Sequence, residues 1–177
     1  MGKRNTDSKV NWLIPLLLFI TAVAVAVSIW ALRSKNEPKP LSPDYPPQET
    51  EAHMETIPGD SGEKMESEQG GGSVSLTYTR DITVDLSEEH ATLFCANPGK
   101  SNQDMMIQII IQDVLICQSG RLTPGHQVAT LDLLEGTAAR LSAGVYEGKF
   151  NILYYHPETH EKAVVNTEIP VTITVQN

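Results

Sequence analysis

His156, Glu158 and His160 stand at alternate positions of the stretch His156-Pro157-Glu158-Thr159-His160. Two imidazoles and a carboxylate at that spacing could hold a divalent metal ion if the loop folded inward. Exposed hairpin loops carry the same residue types simply as solvated polar groups, and that reading is adopted. No metal and no cofactor is expected, and these three residues are the candidates to check.

The chain has two cysteines, Cys95 and Cys117. They could form a disulfide, as suits an exported domain, or stay as two buried thiols. Sequence separation alone cannot place their Cα atoms within bonding range. No C-x-x-C pair and no Cys/His quartet is present, which argues against a structural zinc site.

Gly99-Lys100-Ser101 matches the end of a phosphate-binding loop, but Phe94 stands where the motif needs its first glycine. An ordinary turn is expected there. No G-x-S-x-G elbow occurs. Glu88 and Glu89 are adjacent, so in a strand they would point to opposite faces. His90 and His126 fall near expected turns with no evident nucleophile beside them. The chain is therefore expected not to be an enzyme.

The elements that must position these residues are strands. From Val74 onward the hydrophobic period is two. Val74, Leu76 and Tyr78 alternate with polar residues, as do Ile82, Val84 and Leu86. Leu93 and Cys95 share one face of a short strand. Met105, Ile107, Ile109 and Ile111 face one way, with Gln108 and Gln112 opposite, and their β-branching favours strand over helix. Ala129, Leu131 and Leu133 are expected inward. Tyr146, Phe150, Ile152 and Tyr154 share a face with Gly148 between them. Ile169, Val171, Ile173 and Val175 form the last inward row, and Pro170 belongs at a bulge or an edge. Short strands with regular turn signals and almost no helix make residues 74–177 an all-β sandwich.

The run Leu141-Ser142-Ala143-Gly144-Val145-Tyr146 resembles the start of strand F in immunoglobulin-like domains, where a tyrosine corner sits. That branch of the family seen in antibodies has Cys two residues later, where this chain has Gly148, and no Trp occurs in the domain. The resemblance is to the broad immunoglobulin-like architecture over 74–177.

Ahead of the sandwich lie three different segments. Residues 1–11 form a basic head. Residues 12–32, WLIPLLLFITAVAVAVSIWAL, carry no charge. Their length suits a bilayer core of about 30 Å. Trp12 and Trp30 are spaced about 27 Å apart along a helix, as interface anchors on either side would be. Pro15 is expected in the first turn, where its missing N–H is tolerated. The run exceeds a signal-peptide core and lacks a cleavage site behind it, so an uncleaved signal anchor is expected. Residues 33–73 are rich in Pro, Glu and Ser and close on Gly70-Gly71-Gly72; a disordered acidic tether is expected.

The net charge of −9 argues against nucleic acid as a partner. The expected protein is thus an immunoglobulin-like β-sandwich preceded by a single transmembrane helix and a disordered linker. It would sit in the cell membrane with its C-terminal domain extracytoplasmic, bound to the lipid bilayer through the helix and to an unknown protein through its loops. The loops 97–104 and 156–161 are the expected contact regions. The basic head, single span, acidic Pro-rich linker and small sandwich together resemble uncharacterised membrane-anchored proteins of Gram-positive bacteria. Two other readings are an accessory subunit of an envelope export, conjugation or wall complex, and a metal-binding envelope domain.

Overall fold

The computed structural model describes residues 7–34, 42–67 and 71–177, with helix side chains described over 14–28. The chain divides into two units, 1–39 and 40–177. The basic residues Lys3, Arg4, Lys35 and Lys39, the linker residues 35–41 and 68–70, and the side chains of Trp12 and Trp30 lie outside the described residues.

The first unit is helix α1, Asp7–Ser34. It starts five positions ahead of the expected span, so Pro15 lies inside the helix. The expectation of a first-turn proline is corrected accordingly: Pro15 removes an interior backbone bond. Along the described part Ile14, Leu17, Leu18, Phe19, Ile20, Val23, Val25 and Val27 are all exposed. Thr21 Oγ1 donates to Leu17 O and Leu18 O, and Ser28 Oγ donates to Ala24 O. Among the described residues no helix is long and apolar enough to cross a membrane; the expected span, 12–32, extends beyond the described side chains at both ends.

The second unit is mostly β. Its strands are β1 Met54–Thr56, β2 Thr77–Tyr78, β3 Asp81–Asp85, β4 His90–Asn97, β5 Asp104–Ile111, β6 Val114–Gln118, β7 His126–Asp132, β8 Gly144–Tyr155 and β9 Thr167–Gln176. They form one hydrogen-bonded path in the order β1-β7-β4-β3-β9-β8-β5-β6, with β2 on β4. All pairings are antiparallel except β3 with β9, which is parallel. The path curls on itself: Cys117 of β6 bridges Leu133, and Leu134 N donates to Ile116 O at 2.8 Å.

The expected inward rows fill a single core. It holds Ile82, Val84, Met105, Ile107, Ile109, Phe150, Ile152, Ile173 and Val175, among others. Burial of this apolar surface is what drives the curl, at about 25 cal/mol per Å². Gly148 lies where β5, β8 and β9 meet; a Cβ there would strike the Ile173 Cδ1 methyl and come within 2.7 Å of Ile110 O. Pro170 pairs with Lys149 of β8, while the β3 pairing begins only at Thr172. Locally β9 is thus an edge at Pro170, which explains how the missing N–H is tolerated. Tyr146 OH donates to Ser142 O at 2.9 Å, the backward bond that the tyrosine-corner resemblance implied.

Three expectations are corrected. In β7, Val128 and Leu131 are buried while Ala129 is exposed; the β4–β7 pairing shifts register between Thr92 and Cys95, and a bulge of this kind breaks strict alternation. Gln108 does not face water: it is fully buried, accepts from Asn151 Nδ2 at 2.8 Å and donates to Gln118 Oε1 at 3.2 Å.

The third correction concerns the tether. Much of the expected disordered segment is laid on the domain. Tyr155 OH donates to Pro43 O, Glu51 N to Arg121 O, Ile57 N to Gly125 O and Met65 N to Lys100 O, at 2.9, 3.1, 2.9 and 2.8 Å. Residues 42–67 form a strap, and β1 within it adds an outer strand to β7. Composition pointed to disorder because the strap buries few large side chains; it is held by hydrogen bonds of its backbone and of a few polar side chains instead.

Candidate functional site

Strand register brings three loops to one end of the domain. The last residue of β4, Asn97, pairs with the first of β7, His126. The first of β5, Asp104, pairs with the last of β8, Tyr155. Beyond β6 the chain runs on alongside β5, and Leu122 exchanges backbone bonds with Met105 at that same end. The loops 98–103, 119–125 and 156–166 therefore converge. The two loops expected from sequence as contact regions are neighbours, joined by a third that sequence reasoning missed.

Buried Asn97 fastens two of them: its Nδ2 donates to Gln103 O at 2.9 Å and to Leu122 O at 3.1 Å. The strap closes the end from outside. The Asp60 carboxylate accepts from Gly99 N and, at 3.1 Å, from Gly62 N. Gly99 is required for this approach, since a Cβ there would lie 2.8 Å from Asp60 Oδ1 and from Gly62 Cα. These two backbone donors hold the Asp60 carboxyl below the usual carboxylate range. Lys64 Nζ donates to Ser101 O at 2.7 Å. Gly99-Lys100-Ser101 is thus an ordinary turn, with Ser101 N bonded to Pro98 O and Ser101 Oγ exchanging bonds with Ser75.

Between the loops lies a cleft of about 500 Å³, lined by Lys64, Asn102, Asp104, Arg121, Thr123, Pro124, Pro157 and His160. Asp104 is 2% exposed and lies 3.5 Å from Arg121 Nε through Oδ2. Burial pushes the Asp104 carboxyl up, and the Arg121 guanidinium partly offsets this. Among the described residues, Asp104 Oδ1, Arg121 Nε and His160 Nδ1 are buried and have no hydrogen-bond partner. A cleft carrying both signs of charge and unspent donors and acceptors is suited to polar recognition. Thr123 Oγ1, on its wall, lies 3.0 Å from His126 Nδ1, which also faces Pro124 O at 3.3 Å.

The metal candidates are not brought together as ligands. His156 Nδ1 faces its own loop, accepting from Glu158 N at 3.3 Å and Thr159 N at 3.2 Å. His160, in the left-handed region at φ 59°, bonds through its backbone N to His156 O at 2.9 Å. Among the described residues no group of three His, Cys, Asp or Glu side chains could hold a metal ion. Cys95 and Cys117 are both free and buried, so the disulfide is not formed. Burial pushes each thiol up to about 12, which leaves almost no thiolate to react.

No family model matches the chain, and no curated protein matches it. Among solved structures, AggA, the major subunit of aggregative adherence fimbriae type I from Escherichia coli, is similar over 60% of this chain and 96% of its own. Its identity is 12% and its TM-score 0.33, so remote a likeness that it assigns neither partner nor activity.

Proposed function

We propose that this chain is a single-pass membrane protein displaying an immunoglobulin-like sandwich on the extracytoplasmic side as a non-enzymatic interaction module. The observation that carries this reading is the convergence of loops 98–103, 119–125 and 156–166, with the strap, around the cleft of Asp104 and Arg121. Immunoglobulin-like domains recognise partners through loops clustered at one end. The strand order supports the architecture. β7-β4-β3 follows strands E, B and A, and β9-β8-β5-β6 follows G, F, C and C′. The Tyr146–Ser142 bond stands at the start of the strand in the F position.

Support for anchoring comes from α1. A helix whose apolar residues are exposed on all sides is one that packs inside protein or lipid. Its hydroxyls at Thr21 and Ser28 spend their donors on the helix backbone, as an apolar solvent demands.

The test is cross-linking of the full-length protein in intact cells. Reversing charge in the converging loops, with Lys100→Glu and Glu158→Lys, is expected to remove a partner adduct. Asp113→Lys, at the hairpin joining β5 and β6, is expected to leave it. Adducts indifferent to the loop substitutions would contradict the reading. Protease treatment of whole cells tests the display: survival of the C-terminal domain would contradict it.

A further inference from the structure

The strap lies in a built seat on the outer face of the sheet. Met106, Leu153 and Tyr155 form a second buried cluster, separate from the core, and each is 0% exposed. Met106 pairs with Leu153 across β5 and β8, so the three sit side by side on the face turned away from the main core. Outer faces of such sheets ordinarily meet water. Here the strap crosses that face. It is fixed at one end where Tyr155 OH donates to Pro43 O at 2.9 Å and Lys162 Nζ to Ser42 Oγ. At the other end it is fixed where Gly120 N donates to Glu51 Oε2 at 2.7 Å. Between these points Pro46 is buried. An aromatic-floored groove whose tyrosine hydroxyl takes a proline-segment carbonyl is the physics of polyproline recognition.

Gly120 shows how closely seat and strap fit. A Cβ at this position would lie 2.7 Å from Glu51 N and 2.8 Å from Thr50 C. The missing side chain makes a notch for the strap backbone. Arg121 then clasps it from both sides, with Glu51 N donating to Arg121 O and Arg121 N donating to Glu49 O at 3.0 Å.

We propose that this seat is a receptor for an extended proline-containing segment, and that residues 42–51 of a second copy of this chain can occupy it in place of the resident strap. Every contact above is the same whether strap and seat belong to one chain or two. Exchange of an identical element costs little beyond association entropy. The occupant is specified by the structure itself, because only this sequence is seen to meet the Gly120 notch, the Tyr155 hydroxyl and the Arg121 clasp at once.

The test uses the full-length chain in detergent, since Ser42 and Lys162 touch when the strap is seated. A chain with Ser42→Cys is mixed with a differently tagged chain with Lys162→Cys, and the mixture is treated with a short bis-maleimide, whose spacer makes up the reach a cysteine lacks relative to Lys162. Heterodimers linked from position 42 to position 162 are expected at roughly tenfold the yield of a control pair carrying Val145→Cys instead of Lys162→Cys, because only a seated strap raises the local thiol concentration. Adding Gly120→Val to the Lys162→Cys chain is expected to return the yield to the control level. Heterodimer yield equal to the control would overturn exchange between copies. The double variant Ser42→Cys with Lys162→Cys, treated with the same bis-maleimide at high dilution, reports the seat within one chain. Failure of that internal link would overturn the seat itself.

Discussion

Gly120 and Glu51 are bound at a distance no other residue type at position 120 would allow. The Gly120 N–H donates to Glu51 Oε2 at 2.7 Å, and the Glu51 backbone nitrogen lies 2.7 Å from where a Cβ would stand. Glu51 is only 8% exposed, and its Oε1 also accepts from His53 N at 3.1 Å. Gly120→Ala should therefore lift the strap and leave this carboxylate poorly paired. A loss of about 1–3 kcal/mol is expected, with faster hydrogen exchange at Glu51 and Arg121. Denaturant unfolding and amide exchange check it.

Acid should loosen the strap at its Asp60 contact. The folded-state carboxyl is held below its unfolded value by the Gly99 and Gly62 amides. A depressed carboxyl contributes stability above its unfolded value, and that contribution is lost as pH falls through the folded value. Protection of the strap amides should thus stay level from neutral pH to about 4, the ordinary Asp range, and decline below it. Asp104, pushed up by burial, works in the opposite sense. The Asp60→Asn variant isolates the first effect: its strap protection should be weaker at neutral pH and flatter toward acid.

Cys95 and Cys117 should be silent in the native protein. Their thiols are free, buried and raised to about 12. Maleimide at pH 8 is expected to add nothing to the folded chain and two labels after denaturation, read by intact mass. Cys95→Ser should lower stability by about 1–3 kcal/mol through a buried hydroxyl, whereas loss of a disulfide would show as a reduction-sensitive melting point.

Gly148→Ala should be costly for steric reasons alone. The added methyl would meet Ile173 Cδ1 and Ile110 O, inside three paired strands. Overpacking of about 1–3 kcal/mol is expected. Pairing it with Ile173→Val should recover part of the loss, which a thermal-melt comparison of the single and double variants measures.

The hydroxyl of Tyr146 should make its own measurable contribution beside that of the core-packed ring. Tyr146→Phe removes the bond to Ser142 O at the start of β8 and should cost about 1 kcal/mol, with exchange increasing first in residues 142–146.

Period-two patterning made most strands legible, because β3, β4, β5, β8 and β9 each send one regular row into the main core. It failed where burial was two-sided. Gln108 reads as a water-facing residue, yet it is fully buried in an amide chain with Asn151 and Gln118. It failed again at β7, where a register shift opposite Thr92 and Cys95 exchanges Val128 for Ala129. The loop end was half legible: turn residues marked 97–104 and 156–161, but only strand register makes them neighbours. Arg121 and Asp104 carried no motif, and their pairing depends on the same register. The strap was illegible because it is fixed by single polar groups, such as the Glu51 and Asp60 carboxylates, that meet the backbone at two glycine notches, Gly120 and Gly99, which no composition rule records.

The account rests most on residues 42–67 being a fixed part of the domain. Amide hydrogen exchange of the full-length protein at neutral pH tests this at Glu51, Ile57 and Met65, whose N–H groups donate to Arg121, Gly125 and Lys100. Protection approaching that of Val128 and Leu131 in β7 is the result expected. Exchange at the rate of an unstructured peptide at all three positions would contradict it.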